Sequence, residues 1–234
     1  MPSHWLTRPD PTPSDTARAA AQARFWNRLA RRYASSKIAD MAGYEATLQR
    51  VQGLLSPDHS VLEIGCGTGT TALRLAAGTR CLLATDVSPA MIAIAREKLA
   101  AQPLPQLHFG VVDAEAAAAA AAPAGPAPHD VILAFNVLHL MSNLDATLRG
   151  LLPLLKPGGL FISKTPCLAE MNPIIPRVLV PLMRAIGLAP AVLSFDAVHL
   201  QSTLQRHGLV LEAVERHGSR RKDVRIFIVA RKPR

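Results

Sequence analysis

Apolar positions along the chain gather into short runs, Val61 to Ile64, Cys81 to Ala84, Val131 to Phe135 and Leu160 to Ile162, separated by longer amphipathic stretches. Runs this short, bounded by glycine, proline or acidic residues, read as strands buried on both faces. The segments between them have helical spacing, so strand and helix alternate, as a parallel sheet with helices on both sides requires. Two helices near 16–33 and 40–54 precede the first strand, the first of them marked by the spaced apolar face Phe25, Trp26, Leu29 and Tyr33. At the other end, Leu209 to Val214 and Val224 to Ala230 flank a polar loop and predict an antiparallel hairpin.

Candidate chemistry lies where the first run ends. Val61-Leu62-Glu63-Ile64 breaks into Gly65-Cys66-Gly67-Thr68-Gly69-Thr70 and resumes as Thr71-Ala72-Leu73-Arg74-Leu75-Ala76, which reads as strand, tight loop and helix. Glycines there admit positive φ and let a ligand lie against the backbone. The spacing is G-x-G-x-G, not the G-x-G-x-x-G of a dinucleotide-binding loop, and no P-loop lysine follows. A second strand closes on Asp86, about 20 residues past the first glycine, where a carboxylate accepts both hydroxyls of a ribose. Glu63, Asp86, Asp113 and Asn136 all fall at the ends of expected strands, where parallel sheets bind ligands.

These motifs, with Val111-Val112-Asp113-Ala114, Asp130 to His139 and Leu154 to Ile162 in order behind them, make the chain resemble the class I S-adenosylmethionine-dependent methyltransferases over roughly residues 22 to 232. The resemblance implies an α/β, Rossmann-like fold: a seven-stranded, mostly parallel sheet with an antiparallel C-terminal hairpin, helices on both faces and an N-terminal helical cap. It implies S-adenosyl-L-methionine as cofactor and a methyl transfer to a small, lipophilic acceptor by in-line displacement. Gly65, Gly67 and Gly69, with Cys66 and Thr68 between them, would shape the methionine pocket, and Glu63 would organise the loop. Asp86 would hold the ribose, Val87 and Met91 would flank adenine, and Asp113 with Ala114 would meet its amino edge. Asn136, followed by Val137, would offer its carbonyl to the cofactor ammonium, and Tyr33 would close over it. His139 is the candidate general base, although an in-line transfer needs one only for an acceptor that starts protonated. Asn136 is not followed by Pro-Pro and an aromatic, which disfavours methylation of base amino groups or protein amides. A nicotinamide-dependent oxidoreductase and a noncatalytic binding protein on the same fold are the rival readings.

Composition changes this picture little. A chain of 234 residues with 49% hydrophobic side chains suits one α/β domain, taken here as 16–234 after a flexible tail at 1–15, with a cap at 16–55. Three cysteines, Cys66, Cys81 and Cys167, show neither C-x-x-C pairing nor clustering with histidines, so no metal site or disulfide framework is expected, and a cytoplasmic setting is. No signal peptide is read at the start, and the arginine-rich first helix is taken as part of the fold. The alanine run 116–122 reads as a spacer. The apolar insert 168–193, broken by prolines, is expected either to pack on the N-terminal helices or to serve as a lid over the acceptor. The net charge of +9 is concentrated at 216–234, which holds eight Lys or Arg against Asp223. With almost no aromatic residues interleaved, that cluster makes nucleic acid an unlikely partner; with 172–193 it offers a possible peripheral contact to a membrane surface.

Overall fold

The computed structural model describes residues 13–114, 128–172, 174, 182–183, 190–219 and 223–234. The tail at 1–12, the alanine run, most of the 168–193 insert with Arg177 and Arg184, and Arg220 to Lys222 of the basic cluster lie outside the described residues. Helices α1 (Pro13–Ser35) and α2 (Met41–Gln52) come first. Strand β1 (Ser60–Ile64) then leads through the glycine loop into α3 (Thr70–Leu75). There follow β2 (Cys81–Asp86), α4 (Pro89–Ala101), β3 (Leu107–Val111) and β4 (His129–Phe135). The chain continues through α5 (Leu144–Leu151), β5 (Leu155–Pro166), α6 (Ala197–Arg206), β6 (Val210–Glu215) and β7 (Arg225–Arg231).

The strands form one sheet in the order β3-β2-β1-β4-β5-β7-β6, with β1 to β5 parallel and β7 antiparallel to both β5 and β6. Successive strands grow outward from β1 to β3, then the chain crosses back to set β4 on the other side of β1. That reversal opens a crevice above the carboxyl ends of β1 and β4, where ligands of open α/β sheets bind.

Period-two alternation divides the apolar side chains between two cores. In β4, Val131 and Leu133 join the core beneath α2, α3 and α4, while Ile132 and Ala134 join the core beneath α5 and α6. β7 repeats this with Phe227 and Val229 on one face and Ile226, Ile228 and Ala230 on the other. Both faces are therefore covered, which is why these strands appear in the sequence as unbroken apolar runs. The edge strand β6 is half exposed along its length.

Sequence boundaries move slightly. Val112, Asp113 and Ala114 stand just past β3, not inside its end, and Leu138–Leu140 is a single 3-10 turn. The basic C-terminal end is tied into the fold: Arg216 pairs with Glu170, Arg225 with Asp223 and Arg231 with Glu212, and Lys232 donates to the carbonyls of Leu152 and Leu155. Two acids from outside the 216–234 window, Glu170 and Glu212, thus pair with part of a charge that looks one-sided in sequence. Among the described residues no helix is long and apolar enough to cross a membrane.

Candidate functional site

The loop after β1 contains three glycines in the left-handed region, and the three do different work. Gly65 (φ +64°) packs so closely on the Val137 side chain that a Cβ there would come within 2.3 Å of it. Gly69 (φ +73°) packs against Phe109 and Ala95, at 2.6 and 2.8 Å for the same construction. Gly67 (φ +55°) has only the Tyr33 ring at 3.8 Å, so its backbone is open to a ligand. One glycine packs the loop on β4, one packs it on α4, and the middle one permits close approach.

Asp86 anchors this loop. Its carboxylate accepts the Gly67 N–H and the Ser88 N–H, each at 2.9 Å, and Cys66 N–H donates to the Thr85 carbonyl at 2.9 Å. Burial nevertheless pushes the Asp86 carboxyl above its ordinary value, against those two hydrogen bonds. Glu63 is only 2% exposed, and among the described residues its Oε2 has no hydrogen-bond partner. Burial, reinforced by the nearby Asp86 charge, pushes the Glu63 carboxyl up to about 8. A buried, unpartnered acceptor on a cavity wall calls for a donor or cation from a ligand.

That cavity, ≈ 140 Å³, lies at the crevice of the sheet and is lined by Glu63, Gly65, Cys66 and Gly67 from the β1 end, and Asp86, Val87 and Met91 from the β2 end. Val112, Asp113 and Ala114 come to it from β3, and Phe135, Asn136 and Val137 from β4. Asn136 adopts φ +52°, the sole positive-φ non-glycine among the described residues, and its N–H donates to the Lys164 carbonyl at 2.7 Å. Helix α1 roofs the cavity with Gln22, Trp26 and Tyr33. It is fastened there because Asn27 Oδ1 accepts the Ser88 hydroxyl at 2.7 Å and the Ala90 N–H at 3.1 Å, while Ala30 packs on Met91 and Ile94.

The structure brings every cofactor residue read from the sequence to this cavity except Thr68 and Gly69. Gly69 is buried in packing, and Thr68 faces a neighbouring space, its hydroxyl and carbonyl accepting from the Lys98 ammonium at 3.1 and 3.0 Å. His139 lines neither cavity: it sits in the 3-10 turn with Nδ1 buried and, among the described residues, unpartnered. Burial pushes its imidazole down to about 4, so the ring is neutral at physiological pH and only weakly basic. Neither described cavity therefore supplies contact for His139 as the base.

A stability measurement checks that placement. Between the ordinary histidine value and about 4 the unfolded chain binds the proton and the folded chain does not, so stability falls as pH falls through this window. The loss amounts to about 3 kcal/mol by the acid end. His139→Gln is expected to abolish that increment in a series of melts from about pH 7 to about pH 4; an unchanged slope contradicts the burial.

Sequence reading missed Gln22, Trp26, Thr71, Leu140 and Met141, which line the cavity from helices and a turn with no motif of their own. It also missed a second, larger cavity of ≈ 710 Å³. Tyr33, Cys66, Thr71, Phe135 and Asn136 line both spaces and form the wall between them.

Comparison with known proteins bears on what this pair of cavities is. A family model described as a methyltransferase domain matches residues 62–161. The highly reducing polyketide synthase PKS6 of Gibberella zeae is 34% identical over 129 residues, 52% of this chain. The chain spans 5–6% of the length of the first polyketide synthases it matches. Magnesium protoporphyrin IX methyltransferase (ChlM) from Synechocystis PCC 6803, solved with S-adenosylhomocysteine bound, superposes with a TM-score of 0.64 at 17% identity, covering 93% of this chain and 98% of that one. The CurJ carbon methyltransferase superposes with a TM-score of 0.60 at 23% identity, over 82% and 53% of the two chains. At these identities the solved structures share the fold. The methyltransferase-domain match runs through the same strands whose ends meet at the smaller cavity, and over that stretch the chain is similar to methyltransferase domains.

Proposed function

We propose that the chain transfers a methyl group from S-adenosylmethionine to a small, lipophilic acceptor held in the larger cavity. One observation carries this: the carboxyl ends of β1, β2 and β4 and the residues just past β3 converge on a single cavity, which shares five lining residues with a second space of ligand size. The polyketide synthases among the relatives and the carbon methyltransferase among the solved structures support an acceptor of that class.

The residues present fit the cofactor. Asp86 would accept the ribose hydroxyls, Asp113 the adenine amino group, and the Asn136 carbonyl the ammonium, while the open face of Gly67 would admit the methionine part. When bound, the cofactor supplies an electrophilic methyl on a sulfonium. The protein's own work is positioning and exclusion of water: the α1 residues Gln22, Trp26 and Tyr33 roof the site, and the shared wall aligns the acceptor.

Glu63 makes this testable. Protonated near neutral pH in the ligand-free protein, it gains from ionising once a cation lies beside it, so binding releases a proton. Calorimetric affinity for S-adenosylmethionine is expected to rise from about pH 6 to about pH 8, and Glu63→Gln to flatten the rise. NAD is expected not to compete. Tight NAD binding with none of the methionine cofactor overturns the proposal.

A further inference from the structure

The larger cavity has a charge pattern that an apolar acceptor alone leaves unexplained. Its walls include Ile38, Met41, Leu48 and Phe135, but also Lys37, Lys164 and Arg225, and among the described residues no Asp or Glu. Arg225 is already engaged by Asp223, with Nε to Oδ1 at 2.9 Å, and lies 3.6 Å from Asp40. Lys164 differs. It is 6% exposed, and among the described residues no carboxylate lies within ion-pair distance of its ammonium.

Two neutral oxygens from α2 hold the Lys164 ammonium in place: Thr47 Oγ1 at 2.6 Å and the Gly43 carbonyl at 3.2 Å. Thr47 is itself fixed, donating to the Gly43 carbonyl at 2.7 Å and lying 3.0 Å from His217 Nδ1. Two of the three ammonium N–H groups are thus engaged, and the residue lines the cavity with one N–H to spare. Burial lowers the lysine pKa and the nearby Arg225 charge adds to it, outweighing the opposing charges of Asp223 and Asp40, which stand near the ammonium without pairing with it.

Its position matters as much as its charge. Lys164 is the β5 partner of Phe135 in the sheet register, and its carbonyl accepts the Asn136 N–H. Phe135 and Asn136 belong to the wall shared by the two cavities, so the Lys164 backbone lies on the strand next to that wall while its ammonium lines the larger cavity beside α2. A buried cation held by neutral oxygens attracts an oxyanion far more strongly than a surface lysine does.

We propose that the larger cavity selects acceptors with an acidic oxygen, a carboxylate, phenolate or enolate on a lipophilic body, and that Lys164 is the residue that binds it. This rests on the methyltransferase reading above, since it assigns the larger cavity to the acceptor. A cation at this point favours the ionised acceptor over its neutral form and sets the oxyanion beside the shared wall.

Phenylbutyrate and its amide, phenylbutyramide, are matched probes. Calorimetric titration of the full chain, saturated with S-adenosylhomocysteine, is expected to show the carboxylate binding at least tenfold more tightly than the amide. Lys164→Met is expected to erase that preference by weakening the carboxylate alone, and Lys164→Arg to keep most of it. Affinity for S-adenosylhomocysteine reports folding in each variant and is expected to be unchanged. Equal binding of the two probes by the wild type, no binding of either, or a preference that survives Lys164→Met overturns the proposal. Failure of S-adenosylhomocysteine to bind the wild type sinks the methyltransferase reading instead, so the two failures are distinguishable.

Discussion

Asp86→Ala is expected to weaken S-adenosylhomocysteine binding by at least about a hundredfold. Hydrogen bonds to a charged acceptor contribute about 1.5–3 kcal/mol each, and the alanine removes the acceptor for both ribose hydroxyls at once. A second loss adds to the first. The same carboxylate holds the Gly67 N–H and the Ser88 N–H, each at 2.9 Å, so the loop whose open glycine faces the ligand loses its anchor. Asp86→Asn keeps the size and one acceptor oxygen, and should fall between wild type and alanine. Calorimetric titration of the three proteins decides it. An affinity for S-adenosylhomocysteine that is the same in wild type and Asp86→Ala refutes the ribose assignment.

The second large effect falls on stability and separates two glycines that look equivalent in sequence. Gly69→Ala forces a Cβ into Phe109 and Ala95, at 2.6 and 2.8 Å, at a residue whose φ is +73°. Left-handed strain costs about 1–2 kcal/mol, and overpacking of a tight core adds about 1–3 kcal/mol. For a chain of this length each kcal/mol lowers the melting temperature by about 2–4 °C, so the expected drop is roughly 10 °C. Gly67→Ala carries similar strain at φ +55° but meets only the Tyr33 ring at 3.8 Å. It should unfold only a few degrees lower, while its methyl, projecting into the smaller cavity, weakens S-adenosylhomocysteine binding. Thermal melts and titrations of both variants reveal the contrast. A Gly69→Ala protein as stable as wild type, or one that loses affinity as Gly67→Ala does, contradicts the packing described for this loop.

Much of the nucleotide half of the site was legible in the chain because glycines and acids punctuate strand ends by local rules. A strand buried on both faces must be apolar throughout, so Glu63 at the end of β1 and Asp86 at the end of β2 stand out against their neighbours. Their spacing from Gly65 and Gly67 follows from the length of one strand-helix-strand unit. The antiparallel hairpin of β6 and β7 was equally open to reading, since its two apolar runs flank a polar loop.

Other roles were not. His139 looked like a base from its distance to Asn136, but from the 3-10 turn at Leu138–Leu140 it lines neither described cavity. The third glycine looked like part of the ligand pocket, yet packing against Phe109 is a contact between residues 40 positions apart. The basic C-terminal end looked free because Glu170 and Glu212, which pair with it, precede the window in which the charge was counted.

By itself, then, the order of residues determined the element sequence, the parallel sheet and the acidic and glycine positions that meet at its carboxyl edge, because each depends on burial periodicity and short-range backbone geometry. Tertiary structure alone decided that α1 roofs the cofactor cavity, that a larger space lies behind Tyr33 and Phe135, and that Lys164 from β5 stands against Thr47 from α2. Those features join segments from tens to more than a hundred residues apart, and no local rule of pattern or spacing reports which of two distant surfaces will close over the same void.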